Sequence, residues 1–358
     1  MTYHKPGPVG GREPDPVTVA VDVMGGDHAP QAPVAGALAA VGADPGLSVL
    51  LVGDQERIAP LLPAAHPRVR VMHAPDIIRM DEAPVRAVRQ KPRSSLVRVM
   101  ELVKSGEAQA AVSAGHTGAL MAAGLFALGP LPGVDRPALS ALLPGPGGRG
   151  ILLLDAGAHM NPRAYQLVRY AYLGANYMEA VFELERPRVG LLNVGEEAGK
   201  GPAELREAHR RLLRAAEGGA PFVFTGNLEG RDILSGRVDV VVTDGFTGNV
   251  MLKFLEGMAR DFRGMLEQAI RRNPVTLLGG LLLRPGLRPL ARTMDYQRHG
   301  GAPLLGLDGL VYKCHGSSRE IAFAVTLARA ATYVRQRAQD RIRARIGAIA
   351  DGEERADG

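Results

Sequence analysis

The chain has 358 residues, enough for one large core or two joined ones, of which 46% are hydrophobic and 22% charged. A net charge of +6 favours acidic partners, but an aromatic fraction of 4% leaves the basic residues without interleaved rings, which argues against nucleic acid. Cys314 is the one cysteine, so an internal disulfide framework and a cysteine-based zinc cluster are excluded. No apolar leader opens the chain, and a cytoplasmic protein is expected.

Residues 1–16, rich in Pro and Gly and without apolar period, read as a disordered extension. The run VTVAVD (17–22) predicts a buried parallel strand, followed by a sharp loop and a helix from about residue 31. Asp22, Gly25, Gly26, Asp27 and His28 are ligand candidates in that loop, although each alone also reads as an ordinary loop or capping residue. Strands over 47–53 and 69–73 follow, with a helix over 55–62 between them. The stretch RAVRQKPR (86–93) reads as a basic loop before a helix capped by Ser94 or Ser95 and running to about 104. Arg89, Lys91, Arg93 and the two serines could hold a phosphate there; the competing reading is a solvated loop.

The stretch AAVSAGHTGAL (110–120) is read as a buried strand ending at Ser113, a turn through Gly115 and His116, and a helix that Thr117 opens and caps. Gly115 and Gly118 admit close approach to the main chain, and a helix start after a strand end suits an anion. Strands over 137–143 and 150–155 follow. The link GPGGRG (145–150) formally matches G-x-G-x-x-G, but it opens no helix and so is a turn. After a helix over 162–184, a strand over 188–194 ends in NVGEEAGKG, with Asn193 and Lys200 as candidates. The spacing there rejects a nucleoside triphosphate loop but leaves an anion contact by the lysine open.

Strands over 222–226 and 238–244 bring Asn227, Asp244 and Asn249 to further strand-end loops, with Thr247 and Asn249 opening a helix. The segment 250–293 reads as an amphipathic helical hairpin, whose apolar tip holds Leu277, Leu278, Leu281, Leu282 and Leu283 between Arg271, Arg272 and Arg284. That apolar tip is too short to span a bilayer, and the hairpin fits a dimer interface, an anionic membrane surface, or both. A final strand over 309–318 carries Cys314, read as a structural thiol, and His315, with Ser317 or Ser318 capping a last helix to about 346. Residues 347–358 are expected to be a disordered tail. The whole predicts an open α/β/α sheet over 17–346, taken as a single domain with a protruding helical hairpin, its functional cleft at the carboxyl ends of the strands.

No G-x-S-x-G, H-E-x-x-H, C-x-x-C or phosphate-loop motif occurs. Several longer stretches carry a resemblance instead: VAVDVMGGDHAP (19–30), SAGHTGALMAAGLFALGPLPGVDRPALSALLP (113–144), RPRVGLLNVGEEAGKG (186–201), GNLEGRDI (226–233), VDVVVTDGFTGNVMLK (238–253) and YQRHGGAPLLGLDGLVYKCHGSS (296–318). In this order they resemble the bacterial phosphate acyltransferase family across nearly the whole chain.

The resemblance implies transfer of a fatty acyl group from acyl carrier protein to inorganic phosphate, giving acyl phosphate for phospholipid synthesis. It implies a homodimer, no metal or nucleotide cofactor, and a fold akin to the isopropylmalate dehydrogenase and phosphotransacetylase group. The hairpin would be the dimer and membrane-contact element on the inner face of the cell membrane, where a membrane glycerol-3-phosphate acyltransferase is a further candidate partner. The chain departs from the family at His116 and His159, where Asn is usual, and at Cys314, where Ala is common.

The expected mechanism is direct attack of phosphate on the thioester, which needs positioning and oxyanion stabilisation rather than a covalent intermediate. The backbone of Gly115–Gly118 would hold phosphate, Lys200 and Lys91 would supply charge, and His28 or His315 would act as acid. Competing readings are a phosphotransacetylase-like enzyme using acyl-CoA, a dehydrogenase of the same scaffold, and a non-catalytic membrane scaffold of lipid synthesis.

Overall fold

A computed structural model describes residues 15–63, 66–145, 150–293 and 300–356, with side chains described to 286 in the hairpin and to 349 at the carboxyl end. The strands in chain order are β1 (Val17–Asp22), β2 (Leu47–Gly53), β3 (Val69–His73), β4 (Ala110–Ser113), β5 (Ala138–Leu143), β6 (Ile151–Leu154), β7 (Arg188–Leu192), β8 (Val223–Leu228), β9 (Val240–Val242), β10 (Ala302–Leu305) and β11 (Leu310–Lys313). The helices are α1 (Gln31–Ala43), α2 (Gln55–Ile58), α3 (Pro84–Gln90), α4 (Ser95–Ser105), α5 (Thr117–Ala127), α6 (Ala164–Phe182), α7 (Ala203–Glu217), α8 (Gly245–Arg271), α9 (Pro274–Thr293), α10 (Glu320–Arg335) and α11 (Ala338–Ala356). The class is α/β, as the alternating pattern predicts.

The chain divides into two compact units, where the sequence reading takes 17–346 as one domain. The first comprises Met1–Leu128 and Gly309–Arg337. Its strands run in the order β3-β2-β1-β4-β11 and are all parallel. Parallel strands covered on both faces need continuous apolar runs, and β1, β2 and β4 are almost entirely buried. The helices pack closely because small residues permit it: a Cβ on Gly36 of α1 would lie 2.5 Å from Phe323 Cβ on α10.

The second unit comprises Gly129–Asp308 and Ala338–Gly358, with strand order β10-β5-β6-β9-β7-β8. Here β6, β9, β7 and β8 are parallel, whereas β5 runs antiparallel to both β10 and β6. Tyr170, Tyr177 and Phe222 are fully buried there and supply bulk that a chain without Trp must find elsewhere.

Several boundaries differ from the expectation for local physical reasons. The stretch read as a basic loop is largely the helix α3, because Pro84 at its first position needs no N–H partner. Asp244, not Thr247 or Asn249, caps α8, its Oδ1 accepting from Thr247 N at 2.8 Å. At α10 the N-cap residue is Arg319, without a side-chain cap bond, rather than Ser317 or Ser318. The single terminal helix is two, interrupted at Arg337 (φ 49°), and the second continues to Ala356 where a disordered tail is expected. Residues 1–14, the 146–149 part of the glycine turn and the 296–299 part of the last quoted stretch lie outside the described residues.

Candidate active site

In the first unit, two strand-end loops meet on one buried carboxylate, and a third joins them through the backbone. Asp22 ends β1 in register with Ser113, which ends β4. Its Oδ2 accepts from Ser113 Oγ at 2.6 Å and its Oδ1 from Met24 N at 3.1 Å. Ser113 Oγ in turn accepts from Gly115 N at 3.0 Å, so one carboxylate fixes the loops after β1 and β4 together. The two loops touch backbone to backbone: a Cβ on Gly25 would lie 2.5 Å from Gly115 N. Gly26, at φ +99°, makes the same close approach to Ala114 and Gly316. Asp27 N donates to Gly316 O at 2.8 Å, which joins the loop after β11 to the group.

Burial pushes the Asp22 carboxyl above the ordinary aspartate range, against hydrogen bonds from Ser113, Ser95, Met24 and Gly25 that pull it down. A folded-state value above the unfolded one, about 3.9, means that Asp22 contributes stability fully below that pH and loses it as pH rises through the folded value. The stability advantage of the wild type over Asp22→Asn, a residue that does not titrate, should therefore shrink as pH increases. Urea unfolding across an acid-to-neutral pH series reads this directly. An advantage that grows with pH would contradict it.

Around this core the expected ligand residues fall into two groups. His28 is half-buried at the start of α1, and His315 is exposed. His315 Nδ1 accepts from Ser317 N at 3.2 Å and pairs with Ser317 Oγ at 2.7 Å. An accepting Nδ1 places the neutral ring's proton on Nε2, the tautomer that an oxyanion or leaving thiolate needs.

His116 itself caps α5, not Thr117: its Nδ1 accepts from Gly118 N at 3.0 Å and Ala119 N at 3.3 Å. The amides of Gly115 and Gly118, expected to hold phosphate, are thus engaged within the turn. An anion at this helix start would exchange with the His116 ring for Gly118 and Ala119.

Lys91 is placed differently from the expectation. Its Nζ donates to Glu82 Oε1 at 2.6 Å and to Ile77 O at 2.8 Å, so its charge is neutralised where it anchors the 77–82 loop. Arg89 is turned onto the ring of Phe126, 5.2 Å from the centroid. Cys314 is buried, with Thr326 Oγ1 at 3.4 Å, and burial pushes its thiol up to about 11, as for a structural thiol rather than a nucleophile.

The second unit repeats the buried-carboxylate arrangement at a position that the sequence reading misses. Asp155 follows β6, is fully buried, and accepts from the backbone N–H groups of Leu139, Gly157, Ala158 and His159. Burial again pushes its carboxyl above the ordinary range, despite these four donors. The available signal was an Asp at the end of an apolar run and two residues before a glycine, the pattern already visible at Asp22. His159 Nδ1 lies 3.5 Å from the Tyr170 hydroxyl, and burial, then Arg136, lowers its basicity.

Asn193 and Asn227 support the loop that carries Lys200. Asn193 Nδ2 donates to Lys200 O at 3.1 Å, and Asn227 Nδ2 to Glu197 O at 2.8 Å. With the Asn227 amide so oriented, its Oδ1 faces His209 Nδ1 at 3.0 Å, which makes that ring nitrogen the donor. His209 is a second residue not found from sequence, since it lies on α7, away from any strand end. Gly201, at φ +83°, leaves room for Asn193, whose Oδ1 would be 2.3 Å from a Cβ there. Lys200 is exposed, as is Asn249, which lies beside Gly157. Asp244 is committed to its cap, with Thr247 Oγ1 also donating to Oδ2 at 2.7 Å.

The hairpin of α8 and α9 leaves its apolar side chains exposed. Leu277, Leu278, Leu281 and Leu283 lie open with Leu282, the last at 75% exposure, and Arg271, Arg272 and Arg284 are exposed with them. On α8, Phe254, Met258, Phe262 and Met265 line a groove of about 510 Å³. Gly280 lets α9 approach α8, since a Cβ there would meet Ile270 at 2.5 Å. Among the described residues no helix is long and apolar enough to cross a membrane.

Comparison with solved structures gives the fold its class. A phosphotransacetylase from Streptococcus pyogenes aligns with a TM-score of 0.59 at 18% identity, covering 89% of this chain and 94% of that one. The EutD phosphotransacetylase from Staphylococcus aureus aligns at 0.55 and 15% identity, covering 88% and 94%. The fold is that of the phosphotransacetylases.

Sequence comparison is narrower. The profile of the fatty acid synthesis protein family matches residues 17–341. Phosphate acyltransferase from Brevibacillus brevis is 47% identical over 319 residues, 89% of this chain and 94% of that protein. The enzyme of the same name from Myxococcus xanthus is 48% identical over 305 residues, 84% of this chain and 85% of that protein. The chain belongs to the fatty acid synthesis protein family and is an acyltransferase.

Proposed function

We propose that this enzyme transfers a fatty acyl group from acyl carrier protein to inorganic phosphate, giving acyl phosphate for phospholipid synthesis. The observation that carries the reading is 47% identity to a phosphate acyltransferase across 94% of that enzyme's length. Its physical support is the start of α5 after the Ser113–Gly118 turn, where an anion can exchange with the His116 ring for the Gly118 and Ala119 amides and is favoured by the helix dipole.

A phosphate oxygen attacks the thioester carbonyl, the carbonyl oxygen takes the electron pair, and the tetrahedral species collapses with loss of thiolate. His315, whose Nε2 carries the ring proton, donates to the oxyanion or protonates the thiolate; His28 borders the same joined loops. We take the α8–α9 hairpin as the contact to a second copy and to the inner face of the cell membrane, consistent with its bare leucines and flanking arginines.

The test is incubation with acyl carrier protein thioester and phosphate, trapping acyl phosphate with hydroxylamine. Phosphate-dependent hydroxamate is expected. Its absence sinks the reading, and equal rates with acyl-CoA would make the donor a coenzyme thioester instead.

A further inference from the structure

The segment 84–93 holds four cations, Arg86, Arg89, Lys91 and Arg93, and no carboxylate. Lys91 is closed by Glu82, but the three arginines are exposed, and among the described residues no carboxylate pairs with them. Val85 and Arg89 lie one turn apart on α3 and share a face. The Arg89 guanidinium carbon lies over the Phe126 ring on α5, 5.2 Å from its centroid, which keeps the cation on an aromatic surface. Val85 and Phe126 are themselves 47% and 51% exposed. The result is a small apolar face with cations on and beside it.

This face borders the anion turn. Pro84 packs on the start of α5, with Pro84 Cγ 3.1 Å from the position of a Cβ on Gly118. A free small anion would need donors converging on one point, whereas these guanidinium groups are spread along 86–93 and one lies over an aromatic ring. A lipid surface would call for a broad leucine-rich face, and that chemistry stands on α9 instead. An acidic protein with a short apolar edge matches both the charge and the exposed side chains.

We propose that the α3–α5 face docks the acidic carrier protein that presents the acyl thioester. The inference rests on the reading above that the donor is a carrier protein. Docking there sets the carrier beside the Ser113–Gly118 turn, and the arginines steer its approach in a salt-dependent way.

The experiment compares the full chain with Arg86→Glu, Phe126→Ser and the double variant, using two donors: acyl carrier protein thioester and acyl-pantetheine, which lacks the carrier. In the double variant the carrier-thioester KM should rise about tenfold, with a weaker salt dependence than in the wild type. The phosphate KM and the rate with acyl-pantetheine should be unchanged. An unchanged carrier KM overturns the inference, and so does an equal rise for both donors. Loss of binding to anionic lipid vesicles with the carrier KM retained would make this a membrane face and overturn it too. If the wild type forms no acyl phosphate from either donor, the functional reading itself fails and the inference falls with it. If it forms acyl phosphate from the carrier thioester and the variants match the wild type, the inference fails alone.

Discussion

Gly25→Ala is expected to lower kcat/KM about a hundredfold or more, since displacing strand-end groups by about an ångström is enough for that. The added Cβ would sit 2.5 Å from Gly115 N, 2.8 Å from Gly115 Cα and 2.8 Å from Asp22 Oδ2. Two of these are backbone atoms and the third is a carboxylate oxygen held by Ser113 Oγ at 2.6 Å, so the loops after β1 and β4 must move apart. Overpacking of this kind also costs about 1–3 kcal/mol of stability. Gly42→Ala supplies the control: nothing lies within 4 Å of its Cβ position on α1, so it should be neutral or stabilising by up to about 1 kcal/mol. Thermal unfolding and steady-state rates on the two variants check this. Wild-type activity in Gly25→Ala would show that the contact between the two glycine loops does not position the site.

The second large effect is expected at Asp155. Alanine there leaves the N–H groups of Leu139, Gly157, Ala158 and His159 without their acceptor in a region where Asp155 itself is fully buried. Leaving buried donors unpaired costs about 1–3 kcal/mol each, and partial rearrangement makes about 3–5 kcal/mol a reasonable total. Asp155→Asn should fall between, because its amide oxygen can accept while its NH₂ must face one of the donors. The damage should reach the start of α8, since Gly245 N donates to His159 O at 2.8 Å and a Cβ on Gly248 would lie 1.9 Å from Asp155 O. Urea unfolding, with hydrogen exchange at 156–159 and 245–249, measures both effects. A loss below about 1 kcal/mol for alanine would mean that water or a rearranged loop satisfies those amides.

Many of the candidate loops in each unit were legible because their signals are local. A β-branched run followed by small and polar residues marks a strand end whatever the partner strand, so the loops at 22–28, 113–118, 193–201 and 315–318 could be found one at a time. Lys91 shows where this stops. Four cations in a row suggest an anion, but Glu82, nine positions earlier, takes the lysine once α3 forms, and this depends on how the 77–82 loop folds back. His116 is similar. Its side chain accepts the helix's first amides in place of Thr117 because the ring reaches them from the N-cap position, a choice between adjacent residues that propensity does not make.

Composition and periodicity alone determined the α/β class, the strand-end loops as candidates for chemistry and the amphipathic hairpin, while the family followed from the resemblance that the ordered stretches carry. Tertiary structure decided which charges remain unpaired, the antiparallel direction of β5, and the role of Asp155 as the second buried acceptor of backbone N–H groups. The physical reason is the range of the interactions. Burial of a strand follows from its own side chains, whereas a carboxylate's partners, a lysine's counter-charge and a strand's direction depend on segments far along the chain.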